Sequence, residues 1–114
     1  MTKFKFIQDD GGNIVAFSMK GHADYASKGN DIVCAALSAC VQLFEQSVVE
    51  LLGEEKGSFT ESAETTEISY SMPDMPEEKK KVFYLLASSF YKYVTRLQKQ
   101  YKKNIYCETE VKPC

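Results

Sequence analysis

The apolar and polar residues at the start of the chain alternate in the manner of two β-strands. In residues 2–7, Phe4 and Phe6 alternate with lysines, which predicts a strand with one buried and one solvent-facing side. Residues 14–19 are a second apolar run, and the Asp-Asp-Gly-Gly-Asn segment between the two runs is rich in turn formers. We therefore expect an N-terminal β-hairpin.

Two longer segments instead repeat their apolar residues every three to four positions, which is the period of an amphipathic helix. The first helix is predicted over residues 32–52, with Asp31 as its N-cap and Gly53 just beyond its end. The second is predicted to start after Pro76 and to end near Asn104. The positions expected to form the apolar stripes are Val33, Ala36, Leu37, Cys40, Phe44, Val48 and Leu51 in the first helix and Val82, Leu86, Phe90, Tyr93, Leu97 and Tyr101 in the second.

Short strands account for most of the remaining chain. Residues 58–62 and 67–72 are strand candidates between the helices. A final strand is predicted over 105–111, with one side formed by Ile105, Cys107, Thr109 and Val111. The order β-β-α-β-β-α-β predicts an α+β fold with two long helices packed on one face of a mixed sheet. A length of 114 residues without repeats or linkers predicts a single domain over residues 1–114.

The charge balance argues against nucleic acid as a direct partner. The formal net charge is −2 and the sequence pI is about 5.4, whereas domains that grip phosphate backbones are usually basic. The dense basic stretches lie at the two ends of the second predicted helix, where a solvated helix surface is the simpler interpretation.

We also expect no contact with membranes and no cofactor. No secretory leader opens the sequence, and Gln42, Glu45 and Glu50 interrupt the apolar first helix. A cytoplasmic location is therefore expected, with all four cysteines present as thiols. Because the cysteines show no C-x-x-C spacing and the chain has a single histidine, no metal site is expected.

One segment carries residues suited to catalysis. Cys34 falls in the first turn of the predicted helix, where unpaired N–H groups and the helix dipole favour an anionic thiolate. His22 ends the preceding strand, and the intervening loop is long enough to fold back toward the helix start. Such a pair could perform nucleophilic acyl transfer, with the imidazole as base and then acid. The alternative is that Cys34 is a structural cysteine and His22 an ordinary surface or core histidine. Cys40 and Cys107 are expected to be structural cysteines of the core.

The segment also resembles a known protein family. The matching residues are Gly21-His22-Ala23 and Gly29-Asn30-Asp31-Ile32-Val33-Cys34-Ala35-Ala36-Leu37-Ser38. They resemble the signature of the ribosomal-processing cysteine protease family Prp (YsxB-like), and length and element order agree over essentially the whole chain. The resemblance implies a cytoplasmic, homodimeric bacterial endopeptidase that removes the N-terminal extension of the large-subunit ribosomal protein numbered twenty-seven. It also implies that Cys34 is the nucleophile and His22 the general base and acid.

Two further motif residues have open roles. Asp31 could cap the helix that activates Cys34, or it could hold the imidazole of His22, as Asp24 also could. Ser38 lies one helical turn beyond Cys34, where its hydroxyl could bind the substrate backbone or donate to a carbonyl of its own helix, and the family match favours contact with substrate. We expect the loop over residues 23–30 to close over a bound peptide. The alternatives to the protease are a non-catalytic ribosome-assembly or protein-binding module and a different acyl-transfer enzyme.

Overall fold

The computed structural model describes residues 1–21, 32–53, 58–62 and 67–112. The elements follow the predicted order; the first, second and fourth strands each differ from the predicted bounds by one residue at one end, and the second helix ends at Gln100 rather than near Asn104. They are β1 (Thr2–Gln8), β2 (Ile14–Lys20), α1 (Ile32–Leu52), β3 (Ser58–Ser62), β4 (Glu67–Ser71), α2 (Glu77–Gln100) and β5 (Ile105–Val111). The predicted α+β class is confirmed, and α1 has the predicted bounds. Gly53 follows α1 with a positive φ of 75°, as a residue just past a helix end often does.

The described strands form one mixed sheet in the order β3-β4-β2-β1-β5. β1 pairs with β5 in parallel, while the β1–β2, β2–β4 and β3–β4 pairs are antiparallel. The β1–β2 turn is organised by Asp9, whose carboxylate accepts the backbone N–H groups of Gly11 and Asn13 at 2.9 Å. The hydrogen bond from Asn13 is the largest of several that lower the pKa of Asp9.

Both helices cover the same face of this sheet through a cluster of aromatic side chains. Phe90 of α2 is the centre of the cluster, with its ring centroid 4.9 Å from those of Phe17 in β2 and Phe44 in α1. Phe4 and Phe6 of β1 are fully buried beneath it. Because burying a phenylalanine stabilises a fold by about 1.5–3 kcal/mol, these rings contribute a large share of the free energy that holds the helices on the sheet.

The buried stripe of α2 differs from the predicted one. Its buried residues are Phe83, Ala87, Phe90, Val94 and Leu97. Phe90 and Leu97 were predicted correctly, but Val82 and Tyr93 are wrong as core positions, since they are 44% and 47% exposed. The physical reason is that α2 has apolar residues on two adjacent faces, and the sheet contacts only one of them. Because neighbouring positions in a helix differ by about 100° around its axis, Val82 lies on a different face from the buried Phe83.

The surface of α1 is more apolar than we expected from its interrupting polar residues. By length and composition this helix could cross a membrane, although the core helix of a folded domain meets the same criteria. Its buried residues, which include Val33, Leu37 and Phe44, belong to the hydrophobic core. Only 28% of its most apolar stretch is buried, so much of its apolar surface remains outside the core.

Candidate active site

Cys34 is the third residue of α1 and therefore lies in its first turn, as predicted. The residues around it hold this turn in place, because Val33 and Leu37 are each 1% exposed within the core. Cys34 itself is half-buried and packs against that core from its edge. Backbone N–H groups in the first turn of a helix have no partner inside the helix, so this end of α1 can interact favourably with an anion. Its location suits a thiolate or an oxyanion.

Ser38 shares a side of α1 with Cys34. Four residues correspond to about 40° around a helix axis, so the two positions lie one above the other on adjacent turns. Both side chains are half-buried. The structure therefore brings together two of the four predicted site residues on one flank of the helix. Leu43, nine residues from Cys34, lies about 180° away on the opposite flank.

Gly21 is the last described residue before His22, and its backbone admits only glycine. Its φ is 89°, in the region that side chains disfavour, and a Cβ atom there would lie 2.8 Å from the backbone oxygen of Met1. The chain therefore leaves β2 at a point of close contact with the residue that precedes β1. We did not assign Gly21 a structural role from the sequence, and its place directly before the candidate histidine was the available signal.

Several predicted site features lie outside the described residues. These are His22, Asp24, Asp31 and the loop over residues 23–30. The pairing of His22 with Cys34 and the role of Asp31 stay predictions.

The other two cysteines that the structure describes, Cys40 and Cys107, have thiols that ionise less readily than a nucleophile requires. Burial raises the pKa of the Cys40 thiol, and it raises that of Cys107 to about 11. Both side chains are half-buried and pack against the margin of the core, so they are less deeply buried than the core positions predicted from the sequence. Because the thiolate is the reactive form, neither cysteine is suited to attack a carbonyl near neutral pH. In the described part of the chain, no three His, Cys, Asp or Glu side chains are placed to hold a metal ion.

Comparisons with known proteins point to one family. A family model described as Cysteine protease Prp matches residues 1–106. The essential ribosomal processing protease Prp from S. aureus, solved with a covalently linked product peptide, has a TM-score of 0.83 and 21% sequence identity, covering 96% of this chain and 100% of that one. The same S. aureus protease with a substrate peptide gives a TM-score of 0.78 and 19% identity, with the same coverage.

A third solved structure has the same fold. SMU.848 from Streptococcus mutans has a TM-score of 0.81 and 20% identity, covering 98% of this chain and 96% of that one. No curated protein sequence matches the chain significantly.

Proposed function

The chain belongs to the cysteine protease Prp family, and on this premise we propose that it is a ribosomal-processing endopeptidase with Cys34 as its nucleophile. Its proposed substrate is the precursor of the large-subunit ribosomal protein numbered twenty-seven, from which it removes the N-terminal extension. The observation that carries the proposal is the place of Cys34 in the first turn of α1, a turn that the buried Val33 and Leu37 anchor in the core. The S. aureus Prp structures, which contain a substrate peptide and a covalently linked product peptide, support peptide cleavage as the activity.

The proposed reaction has two acyl-transfer steps. His22 takes the proton of the Cys34 thiol, and the resulting thiolate attacks the carbonyl carbon of the scissile peptide bond. The tetrahedral oxyanion then collapses, the C–N bond breaks, and the imidazolium of His22 donates its proton to the leaving amine. The extension is now a thioester on Cys34. Water, deprotonated by His22, attacks this thioester and releases the extension as a carboxylic acid with the Cys34 thiol restored.

Two residues are proposed as assistants to this reaction. Asp31 either caps the start of α1 or orients the imidazole of His22, and the two roles predict different results. If Asp31 acts only as a cap, Asp31→Ser keeps both stability and cleavage. If it orients the imidazole, Asp31→Ser lowers kcat while the free energy of unfolding stays unchanged. Ser38 is proposed to contact the substrate backbone, so Ser38→Ala should raise KM more than it lowers kcat.

The setting of the enzyme is also part of the proposal. We propose that residues 1–114 act as a single domain, as a cytoplasmic homodimer, without a cofactor and without direct binding to nucleic acid or membranes. The formal net charge of −2 supports a peptide rather than a phosphate backbone as the partner.

Cleavage of the purified precursor tests the proposal. Cys34→Ala should abolish the appearance of the shortened protein by mass spectrometry, while Cys40→Ala, on the same helix, should keep it. The packing of Cys34 against the core also fits a second candidate, a non-catalytic ribosome-assembly or protein-binding module in which this thiol is structural. Failure of the wild-type protein to cleave the precursor would favour that module, whereas processing by Cys34→Ala at the wild-type rate would exclude Cys34 as the nucleophile.

A further inference from the structure

Two lysines lie side by side at one end of the sheet. Lys3 of β1 and Lys20 of β2 are Cα partners in the antiparallel pair of these strands. Both side chains are exposed on the face of the sheet that the helices leave open, because side chains alternate along a strand and Thr2 and Phe4 are buried. Like charges directly opposite each other on neighbouring strands destabilise a sheet, so this lysine pair has an energetic cost in the free protein.

The lysine pair lacks the ion pair that the next lysine of the same strand forms. Lys5, two residues further along β1, contacts the carboxylate of Glu110 in β5 at 3.0 Å. Neither Lys3 nor Lys20 forms an ion pair with a residue that the structure describes. Glu67 of β4 is the Cα partner of Lys20, so it offsets part of this charge. The remaining positive charge is available to a ligand.

Further positive charge and an exposed aromatic ring lie at the same end of the sheet. Lys102 and Lys103 are exposed in the connection between α2 and β5. The dipole of α2 favours cations at its C-terminal end, which explains these two lysines without a ligand, but their charge adds to that of the pair. Tyr106 of β5 is the Cα partner of Lys3 and is 46% exposed. Tyrosine is enriched among the residues that contribute most to protein interfaces, so the pair lies beside a ring suited to peptide contact.

The candidate nucleophile lies at this end of the molecule too. β2 ends at Lys20, so the chain leaves the sheet here toward His22. α1 finishes toward the opposite end, because only five residues (53–57) separate it from β3, which begins beside the last residue of β4. A helix of 21 residues is about 31 Å long, so its first turn, with Cys34, lies back at the lysine end. A peptide held at Cys34 can therefore reach the lysine pair.

We propose that Lys3 and Lys20 bind an acidic side chain of the substrate peptide close to the scissile bond and so contribute to the choice of cleavage site. This inference rests on the proposed protease and adds a specificity determinant to it. A carboxylate between the two ammonium groups accepts charge-assisted hydrogen bonds from both and offsets their mutual repulsion. A peptide is favoured over a phosphate backbone because the chain has a formal net charge of −2, and because two lysines contact few phosphates.

Cleavage of paired peptides by the full-length enzyme tests this inference. The peptides span the processing site of the precursor, and each position in turn carries aspartate in one peptide and asparagine in its partner. At one or two positions the aspartate peptide should have a kcat/KM about five-fold higher, mainly through a lower KM, which is the size of an exposed charge contact. Because salt screens exposed charges, this preference should shrink as the salt concentration rises from about 0.05 M to about 0.5 M.

Two double variants and one control assign the preference to the lysine pair. Lys3→Gln/Lys20→Gln should abolish the preference for aspartate and leave cleavage of the asparagine peptides unchanged. Lys3→Glu/Lys20→Glu should reverse it, so that a peptide with lysine at the same position is cleaved better than the aspartate peptide. The matched control is Lys5→Gln, which removes a lysine already paired with Glu110 and should keep the preference. Thermal melting followed by circular dichroism checks that each variant is folded.

Three outcomes would overturn the assignment. They are the absence of any position at which wild-type enzyme prefers aspartate, an equal loss of the preference in Lys5→Gln, and slower cleavage of aspartate and asparagine peptides alike by Lys3→Gln/Lys20→Gln. The last result would mean that the two lysines support the fold rather than bind a ligand. If wild-type enzyme shows no preference but binds a single-stranded RNA oligonucleotide through these lysines in fluorescence anisotropy, the pair belongs to a nucleic-acid site instead.

Precursor cleavage and peptide binding on the same preparations separate this inference from the protease proposal. Wild-type enzyme that cleaves the precursor without any preference for aspartate contradicts the lysine site and leaves the protease proposal standing. If wild-type protein cleaves neither precursor nor peptides, the protease proposal fails, and binding alone decides the lysine site. Tighter binding of aspartate than of asparagine peptides, lost in Lys3→Gln/Lys20→Gln, would then support an acidic-peptide site, and equal binding would contradict it.

Discussion

Replacing Gly21 with alanine tests how the end of β2 is built next to the candidate histidine. The substitution has two separate costs. The first is conformational, since a φ of 89° disfavours any residue with a Cβ by about 1–2 kcal/mol. The second is steric, because the new Cβ would lie 2.8 Å from the Met1 backbone oxygen. An ordinary contact begins near 3.4 Å, so the two segments must separate by about 0.6 Å.

The steric cost follows from what holds Met1 in place. The next residue, Thr2, donates its backbone N–H to the Asn104 oxygen at 2.9 Å, and a displaced Met1 strains that bond. A net loss of about 1 kcal/mol is reasonable for one such hydrogen bond. We therefore expect Gly21→Ala to lower the free energy of unfolding by about 2–3 kcal/mol. Because His22 is the next residue, we also expect a reduced kcat in precursor cleavage.

Gly12 provides the matched control for this prediction. Its φ is 85°, but a Cβ atom there would meet nothing within 4 Å. Gly12→Ala should therefore cost only the conformational part, about 1–2 kcal/mol, and leave cleavage unchanged. Urea denaturation of both variants, each with a cleavage assay under native conditions, gives the comparison. Equal losses of stability in the two variants, or an equal effect on cleavage, would refute the close-contact explanation of Gly21.

Three other predictions follow from the core, the thiols and the β1–β2 turn. Phe90→Ala should lower the free energy of unfolding by about 3–5 kcal/mol, because Phe90 is at the centre of the aromatic cluster. Tyr106→Ala, at a half-exposed position, should lower it by less than about 1 kcal/mol. Similar losses for the two variants in urea denaturation would contradict the central place of Phe90 in the core. Iodoacetamide should modify Cys107 of the folded protein appreciably only as the pH approaches the pKa of this thiol, about 11. If mapping of the modified cysteines at pH 8 finds Cys107 as reactive as Cys34, Cys34 is not the distinct nucleophile that we propose. The pKa of Asp9 is lowered in the folded state, so its contribution to stability is complete above pH 3.8 and is lost as the pH falls through the lower folded-state pKa. Asp9→Asn should therefore flatten the loss of stability at acid pH. An unchanged dependence of stability on pH would show that the turn hydrogen bonds do not depend on the charge of Asp9.

The sequence predicted the order of elements well because each element has its own period. Alternation in β1 and the turn after it gave the hairpin, and α1 has the bounds that its apolar spacing and Gly53 indicate. The buried stripe of α2 was harder to predict. Val82 and Tyr93 have the correct spacing for a helix face, but a sequence pattern cannot tell which of two apolar faces meets the sheet.

The candidate site divides in a similar way. The first-turn position of Cys34 followed from local signals, and the structure has it there. The close contact between Gly21 and Met1 joins two strands that are distant in sequence, so no local pattern contains it. The partnership of His22 with Cys34 depends on the path of residues 22–31, which local periodicity does not determine and which lie outside the described residues.

Trapping the covalent intermediate tests the role of Cys34 most directly. The precursor is mixed with wild-type enzyme, the reaction is stopped with acid within its first turnover, and the enzyme is digested and mapped by mass spectrometry. The peptide containing Cys34 should gain the mass of the released extension less one water, as a thioester that hydroxylamine removes. Attachment of the extension to another residue, or undiminished cleavage by Cys34→Ala, would rule out Cys34 as the nucleophile.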